Sequence, residues 1–283
     1  KSIANIMNWP VFFKRLGSAV VFCAVILAAL TTTFEVLLAV TMLIQFFCIK
    51  ETWQLFKNIF PDTTFPDTLY TLTQLFGFGL TISIAMASAL GAFMFLTLLI
   101  PVILIFISIL HPKNTLKAGM TAIFALLYVS IPLGGMISMY MLYHSGHLPT
   151  NIPLALILLI WTNDTMAYIT GSFIGKTPFS KISPKKTWEG TIGGMVFTVL
   201  GVVILSYASW LPGLRLQDWI ILAVLAAVIG TMGDLMESKL KRLANVKDSG
   251  NIMPGHGGAL DRFDSLLATM PFVFCYVLIF MVR

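Results

Sequence analysis

Charged residues are scarce in this 283-residue chain. Asp, Glu, Lys and Arg together make up 11% of it, whereas a soluble domain carries about 25%. Hydrophobic residues make up 58%, above the about 45–50% that is usual in soluble domains. These two departures argue against a water-soluble fold and predict an integral membrane protein.

Other features are missing as well. The three cysteines, Cys23, Cys48 and Cys275, all lie inside apolar runs with no CxxC or Cys/His spacing, which argues against a disulfide framework or a zinc site. The chain has no GxxxxGK phosphate loop and no internal repeat. No polar stretch exceeds about 30 residues, and so short a segment cannot bury a core of its own. A separate soluble domain is therefore not expected.

Long apolar runs dominate the sequence. A membrane-spanning helix needs about 20 apolar residues, and long runs without strand-like alternation favour helices over a barrel. The runs cover 16–34, 36–49, 72–90, 92–110, 118–142, 153–175, 190–209, 216–236 and 266–282. They predict an all-α polytopic protein with about nine transmembrane helices, of which the second is short for a span. We expect an interfacial N-terminal segment at 1–15, an N-terminal bundle at 16–142, and a C-terminal region at 153–283 that carries the site.

Basic residues indicate the orientation. With nine spans, one side receives 16 of the 18 Lys and Arg residues, and the other receives only Arg215 and Arg283. Because basic loops stay in the cytoplasm, this asymmetry predicts a cytoplasmic N-terminus. It also accounts for the net charge of +6 without nucleic acid, and no nucleic-acid partner is predicted. The polar connections 176–189 and 237–265 fall on the cytoplasmic side, where we expect the chemistry. The expected location is the bacterial cytoplasmic (inner) membrane.

Two carboxylates lie within or beside apolar runs. Asp164 interrupts one run and Asp234 lies near the end of another, and a carboxylate at membrane depth usually faces a partner, a cation or a water-filled cavity. Ser238 follows Asp234 by one helical turn, and Gly230 and Gly233 allow a close approach by a neighbouring helix or a ligand. Mg²⁺ prefers such hard oxygen ligands. A helix–helix hydrogen bond or a charge at the end of a span remains the alternative.

The most informative stretch is KDSGNIMPGHGGALDRFDS, which begins at Lys247. Its glycines offer backbone N–H groups to phosphate oxygens, and Lys247, His256 and Arg262 supply cationic or donor side chains. Asp261 and Asp264 share a face if a helix starts there. The alternative is a solvated loop followed by a salt-bridged helix start.

A lysine-rich connection, GKTPFSKISPKKTWEG, precedes the seventh run. Its four lysines suit either topology determination or a cationic surface for a phosphorylated substrate or anionic headgroups: Lys176, Lys181, Lys185 and Lys186. Carboxylates and bases together suggest phosphoryl or nucleotidyl transfer involving a lipid. An ion-coupled transporter with intramembrane carboxylates is the competing class.

Two strings in the C-terminal half of the sequence resemble a known family. The string SKLKRLANVKDSGNIMPGHGGALDRFD, from Ser238 to Asp264, resembles the signature of the phosphatidate cytidylyltransferase (CDP-diacylglycerol synthase) family. The string NDTMAYITGSFIGKTPFSKISPKKTWEGTIGG is similar to that family too. The resemblance covers about the C-terminal 45% of the chain. Met253 and Ala259 stand where the family commonly has bulky aliphatic residues, which affects packing more than chemistry.

The resemblance implies a reaction and a set of residues. The reaction transfers the cytidylyl group of CTP to phosphatidate, by attack of the lipid phosphate on the α-phosphorus, and gives CDP-diacylglycerol and pyrophosphate. A related lipid phosphate as the acceptor is the alternative. The resemblance also implies dependence on Mg²⁺, with room for a second cation. It further implies a homodimer and contact with membrane lipids. The implied metal ligands are Asp234 and Asp261. The implied catalytic positions are Ser238, Lys241, Arg242, Lys247, Asp248, His256 and Asp264. The implied substrate-binding positions are Lys185, Lys186, Gly257, Gly258, Arg262 and Asp164.

Overall fold

The computed structural model describes residues 9–86, 99–110, 116–211, 213–252 and 257–282. Within these ranges the chain forms nine helices and no strand beyond one isolated bridge. The helices are α1 (Trp9–Thr31), α2 (Phe34–Ile59), α3 (Asp67–Ala85), α4 (Ile100–Leu110), α5 (Leu116–His144), α6 (Ile152–Ile174), α7 (Trp188–Tyr207), α8 (Leu216–Leu243) and α9 (Leu260–Met281). Helix α5 contains a π-helical turn at Leu126–Ser130, and α9 ends in another at Val277–Met281.

Six of these helices, α3 and α5 to α9, are long and apolar enough to cross a membrane. The protein is thus an all-α polytopic membrane protein, as the sequence predicts. The number of nine spans, the cytoplasmic N-terminus and the three-part division at 1–15, 16–142 and 153–283 stay predictions.

Three helices extend further towards the polar connections than the apolar runs predict. The second run ends at 49, but α2 continues to Ile59; α8 continues to Leu243, and α9 begins at Leu260. The hydropathy boundaries were wrong here because polar residues in these turns have partners. Within α8, for example, Glu237 pairs with Lys241 one turn later.

The helices run between two ends of the bundle. At one end, the Asn151 amide before α6 donates to the carbonyl of Leu30 near the end of α1, at 2.8 Å. At the same end, the Tyr276 hydroxyl near the end of α9 donates to Asp218 near the start of α8, at 2.6 Å. The opposite end collects the polar termini of α2, α6, α7, α8 and α9, and it holds the candidate site.

Small residues let α8 and α9 approach closely. A Cβ built on Gly233 would lie 2.8 Å from the carbonyl oxygen of Asp264 and 2.5 Å from the Cβ of Ala268. Gly230 faces Ser265 at a more ordinary distance. The predicted close approach of a neighbouring helix is confirmed at Gly233, where the polar end of α8 packs against the first turns of α9.

We expect Gly233→Ala to destabilise the protein, because its methyl group overlaps the α9 backbone. Overpacking of this kind costs about 1–3 kcal/mol. The thermal unfolding midpoint of the purified protein in detergent measures the effect. Gly201→Ala on α7 is the matched control, since among the described residues nothing outside its own helical turn lies within 4 Å of its built Cβ. Equal midpoints for the two variants would contradict the close packing described above.

Candidate active site

A cleft of about 370 Å³ opens where α8 ends and α9 begins. Its polar lining contains Asp164, Asp234, Lys241, Asp248, Asp261, Arg262 and Asp264. Its apolar lining contains Phe22 and Ile26 from α1 and Ile157, Ile160 and Trp161 from α6. The cleft therefore gathers seven of the residues predicted from the sequence, beside a wall that could accept hydrocarbon.

Three carboxylates form a cluster in and beside this cleft. One oxygen each from Asp234, Glu237 and Asp264 can be chosen so that all three lie within 4.8 Å of one another. The Glu237 side chain is fully buried, and its Oε1 has no hydrogen-bond donor within the part of the chain that the structure describes. Like charges this close repel strongly in a medium of low dielectric constant. The oxygen donors fit a divalent cation, which would relieve this repulsion.

Lys241 connects two of the acidic residues. Its ammonium lies 2.6 Å from Asp261 Oδ1 and also contacts the Glu237 carboxylate. Asp261 Oδ2 accepts hydrogen bonds from the N–H groups of Ser249, at 2.9 Å, and Gly258, at 2.7 Å. The protein itself therefore compensates the charge of Asp261. The metal pair Asp234 and Asp261 stays a prediction, while the structure groups Asp234 with Glu237 and Asp264.

A second cleft, of about 380 Å³, shares Asp164 and Asp234 with the first. Lys185 and Lys186 line it, and the Lys186 ammonium contacts the Asp234 carboxylate. The backbone of this connection is fixed, since the Phe179 N–H donates to the carbonyl of Lys186 at 2.8 Å. The lysine-rich connection is therefore folded against the acidic cluster, as a cationic surface requires.

Glu189, in the first turn of α7, holds the beginning of this connection. Its carboxylate accepts hydrogen bonds from the N–H groups of Lys176 and Thr177 and from the Thr177 hydroxyl, at 2.8–3.2 Å. Phe179 and Trp188 also pack edge to face, with ring centroids 4.5 Å apart. These contacts explain why so polar a connection takes one conformation.

The remaining predicted positions lie around the clefts. The Ser238 hydroxyl donates to Asp234 Oδ1 at 3.2 Å. Arg242 is exposed and donates to the carbonyl of Val246 at 3.0 Å, which ties the end of α8 to the turn that follows it. Lys247 is exposed in the following turn. The catalytic roles of these residues stay predictions.

The glycines of the signature have structural roles in addition to any binding role. Gly257 has a φ of +86°, a conformation that favours glycine. The N–H of Gly258 is engaged by Asp261, so phosphate binding through this group stays a prediction. His256 lies outside the described residues.

Sequence reasoning missed two buried acids. Glu51 on α2 accepts hydrogen bonds from Ser249, Ala259 and Leu260, beside the cleft. It was missed because the second apolar run was ended at 49; the apolar residues Trp53 and Leu55, both buried, were the available signal that the helix continues. Glu237 was signalled by its spacing of four from Lys241.

Comparison with known proteins identifies the family. The chain matches the Cytidylyltransferase family over residues 13–280. A phosphatidate cytidylyltransferase of Bacillus subtilis is 44% identical over 124 residues, which are 44% of this chain and 46% of that protein. The enzyme of the same name from Synechocystis sp. is 40% identical over 143 residues, 48% of this chain and 47% of that protein. A third, from Haemophilus influenzae, is 44% identical over 119 residues, 41% of each chain.

The chain spans about half the length of the curated relatives it matches. These matches confirm the resemblance drawn from the signature residues. The family match is broader, because it extends from α1 to the end of α9 and includes both clefts. This chain is therefore a member of the Cytidylyltransferase family.

Proposed function

We propose that the protein transfers the cytidylyl group of CTP to phosphatidate, forming CDP-diacylglycerol and pyrophosphate. One observation carries the proposal: a cleft that combines clustered carboxylates and basic side chains with an apolar wall. Phosphatidate makes the same double demand, because it joins a phosphate to hydrocarbon chains. The name that the relatives share supports this choice of substrates.

The reaction needs little acid–base assistance. An oxygen of the phosphatidate phosphate attacks the α-phosphorus of CTP, a new P–O bond forms, and the bond to the bridging oxygen of the β-phosphate breaks. Pyrophosphate leaves with that oxygen and its electron pair. A phosphate monoester has its second pKa near about 6, so the nucleophile is already ionised. The protein must instead bring two anions together and compensate their charge.

The clustered carboxylates would contribute to charge compensation by holding a cation. We propose that Asp234 and Asp264, with Glu237 behind them, hold Mg²⁺, and that Asp261 contributes as a further ligand or by holding Lys241. We further propose that a second cation can bind beside it, as the family resemblance implies. Bound Mg²⁺ would neutralise phosphate charge and orient the leaving group.

The basic residues of the two clefts would bind the phosphate groups of the substrates. Arg262 lines the first cleft and Lys185 and Lys186 line the second, so a phosphate bound in either cleft meets a cation. Asp164 lies between the clefts and belongs to both linings. Backbone and side-chain donors fixed in advance stabilise developing charge without reorganisation.

The setting of this reaction is also a proposal. The asymmetry of basic residues supports a site that faces the cytoplasm, in the bacterial cytoplasmic membrane, among membrane lipids. The family resemblance supports a homodimer.

Purified protein in lipid, with Mg²⁺ and phosphatidate, should release pyrophosphate and form a CDP-lipid with CTP and with no other nucleoside triphosphate. Omission of phosphatidate is the control and should abolish both products. Formation of a liponucleotide only from a different lipid phosphate would assign a different acceptor. Absence of any liponucleotide, together with nucleotide-independent solute flux in sealed vesicles, would contradict the proposal and support a transporter.

Removal of one carboxylate from the cluster should reduce turnover. We expect Asp234→Asn, Asp261→Asn and Asp264→Asn each to lower kcat by about 10²-fold or more, because each removes one negative charge from the proposed cation site while keeping the size of the side chain. Steady-state rates over a Mg²⁺ titration measure the effect. Asp62→Asn is the matched control, since Asp62 is exposed and lines neither cleft. Near-normal turnover of the cluster variants at limiting Mg²⁺ would refute the site.

A further inference from the structure

We propose that Glu51 of α2 is a positioning residue for the reaction. It would hold Ser249 and the first turn of α9 in the conformation that places Asp261 and Asp264 in the cleft. The catalytic part of this proposal rests on the proposed function. The positioning itself is argued from the contacts of Glu51 alone.

The Glu51 carboxylate is buried at the start of α9, with 5% of the residue exposed. Its Oε1 accepts from the N–H of Ala259 at 3.0 Å, and its Oε2 accepts from the N–H of Leu260 at 2.8 Å. Oε2 also accepts from the Ser249 hydroxyl at 2.7 Å. The first N–H groups of a helix have no acceptor within it, and a negative charge there is favourable for the helix dipole. Glu51 thus caps α9 from another helix.

Two glycines of the signature make room for this carboxylate. A Cβ built on Gly250 or on Gly258 would overlap the carboxylate of Glu51, whose oxygens are its nearest neighbours. With Glu51 in its present position, a side chain at either glycine would have to displace this carboxylate. The contact with Glu51 therefore gives both glycines a structural role that needs no ligand.

Ser249 links Glu51 to the site residue Asp261. The Ser249 hydroxyl lies 2.7 Å from Glu51 Oε2 and 3.0 Å from Asp261 Oδ2, between the two carboxylates. The N–H of Ser249 also donates to Asp261. Glu51 therefore restrains the position of Ser249, and Ser249 restrains the Asp261 carboxylate. Asp261 in turn binds the Lys241 ammonium.

The negative charge of Glu51 is needed in this arrangement. Among the described residues, no lysine or arginine forms an ion pair with it; its compensation comes from N–H and O–H donors at both oxygens. Glutamine has nearly the same size, but its amide nitrogen would face one of these donors and leave it unpaired. An unpaired buried donor costs about 1–3 kcal/mol, so the connection should shift or loosen.

A shift of this kind should affect the chemical step. Displacement of catalytic groups by about 1 Å can cost about 10²-fold in rate. A purely structural role would lower the amount of folded protein but leave kcat per folded molecule unchanged. The value of kcat per folded molecule therefore separates the two roles.

The test compares Glu51→Gln with Glu35→Gln, a control on the same helix at an exposed position near its other end. We expect kcat per folded molecule to fall about 10-fold or more in Glu51→Gln, with KM for CTP changed less than about threefold. Hydrogen exchange measured by mass spectrometry should become faster in residues 257–262. Glu35→Gln should match the wild type in both measurements.

Further variants keep the outcome decisive. Glu51→Asp retains the charge and should keep more activity than Glu51→Ala. Ser249→Ala removes one hydroxyl and should lower kcat in the same direction, which covers the case in which the glutamine variant fails to fold. Unchanged kcat in Glu51→Gln and Ser249→Ala would overturn the proposal, even if exchange were faster. If the wild type itself transfers no cytidylyl group, the proposed function fails, whereas faster exchange would still support positioning by Glu51.

Discussion

Compensation of buried carboxylates is the constraint on which the functional end of this bundle depends. The buried ones are Glu51, Glu237 and Asp264; Asp234 and Asp261 are half-buried beside them, and Asp164 and Asp248 are exposed in the same cleft. An uncompensated charge at such a place is costly, and each contact described above can be understood as relief of that cost. Lys241 forms ion pairs with two of the acids and Lys186 forms one with Asp234, whereas Glu51 accepts hydrogen bonds from backbone N–H groups.

The same constraint controls the local sequence. Because the acids come from helices far apart in the chain, the helices must approach closely, and Gly233 permits this between α8 and α9. Because the Glu51 carboxylate lies against Gly250 and Gly258, a Cβ at either position would overlap it. An arrangement that concentrates negative charge beside bases is poor for stability but suited to cations and phosphates. Active sites commonly combine these properties.

Much of this architecture was predictable from the sequence, for identifiable reasons. Apolar runs located the helices, since lipid requires long hydrophobic segments with internally satisfied backbones. The signature between Ser238 and Asp264 located the cleft. Hydropathy could not locate the ends of α2, α8 and α9, where buried polar residues extend the helices. It could not reveal Glu51 either, because the contacts of Glu51 lie about 200 positions away along the chain. The partners of individual carboxylates also depend on tertiary packing. The family resemblance implies Asp234 and Asp261 as metal ligands, and only the structure shows that Asp261 also contacts Lys241.

The position of a bound divalent cation tests most directly whether the carboxylate cluster is the reaction centre. Anomalous diffraction from crystals of the full chain grown with Mn²⁺ and CTP would locate it. We expect a Mn²⁺ peak in contact with Asp234 and Asp264, and we expect its loss in Asp234→Asn crystals grown in the same way. A peak bound elsewhere on the chain, or no peak at this cluster when Mn²⁺ supports turnover in solution, would contradict the assignment of the site.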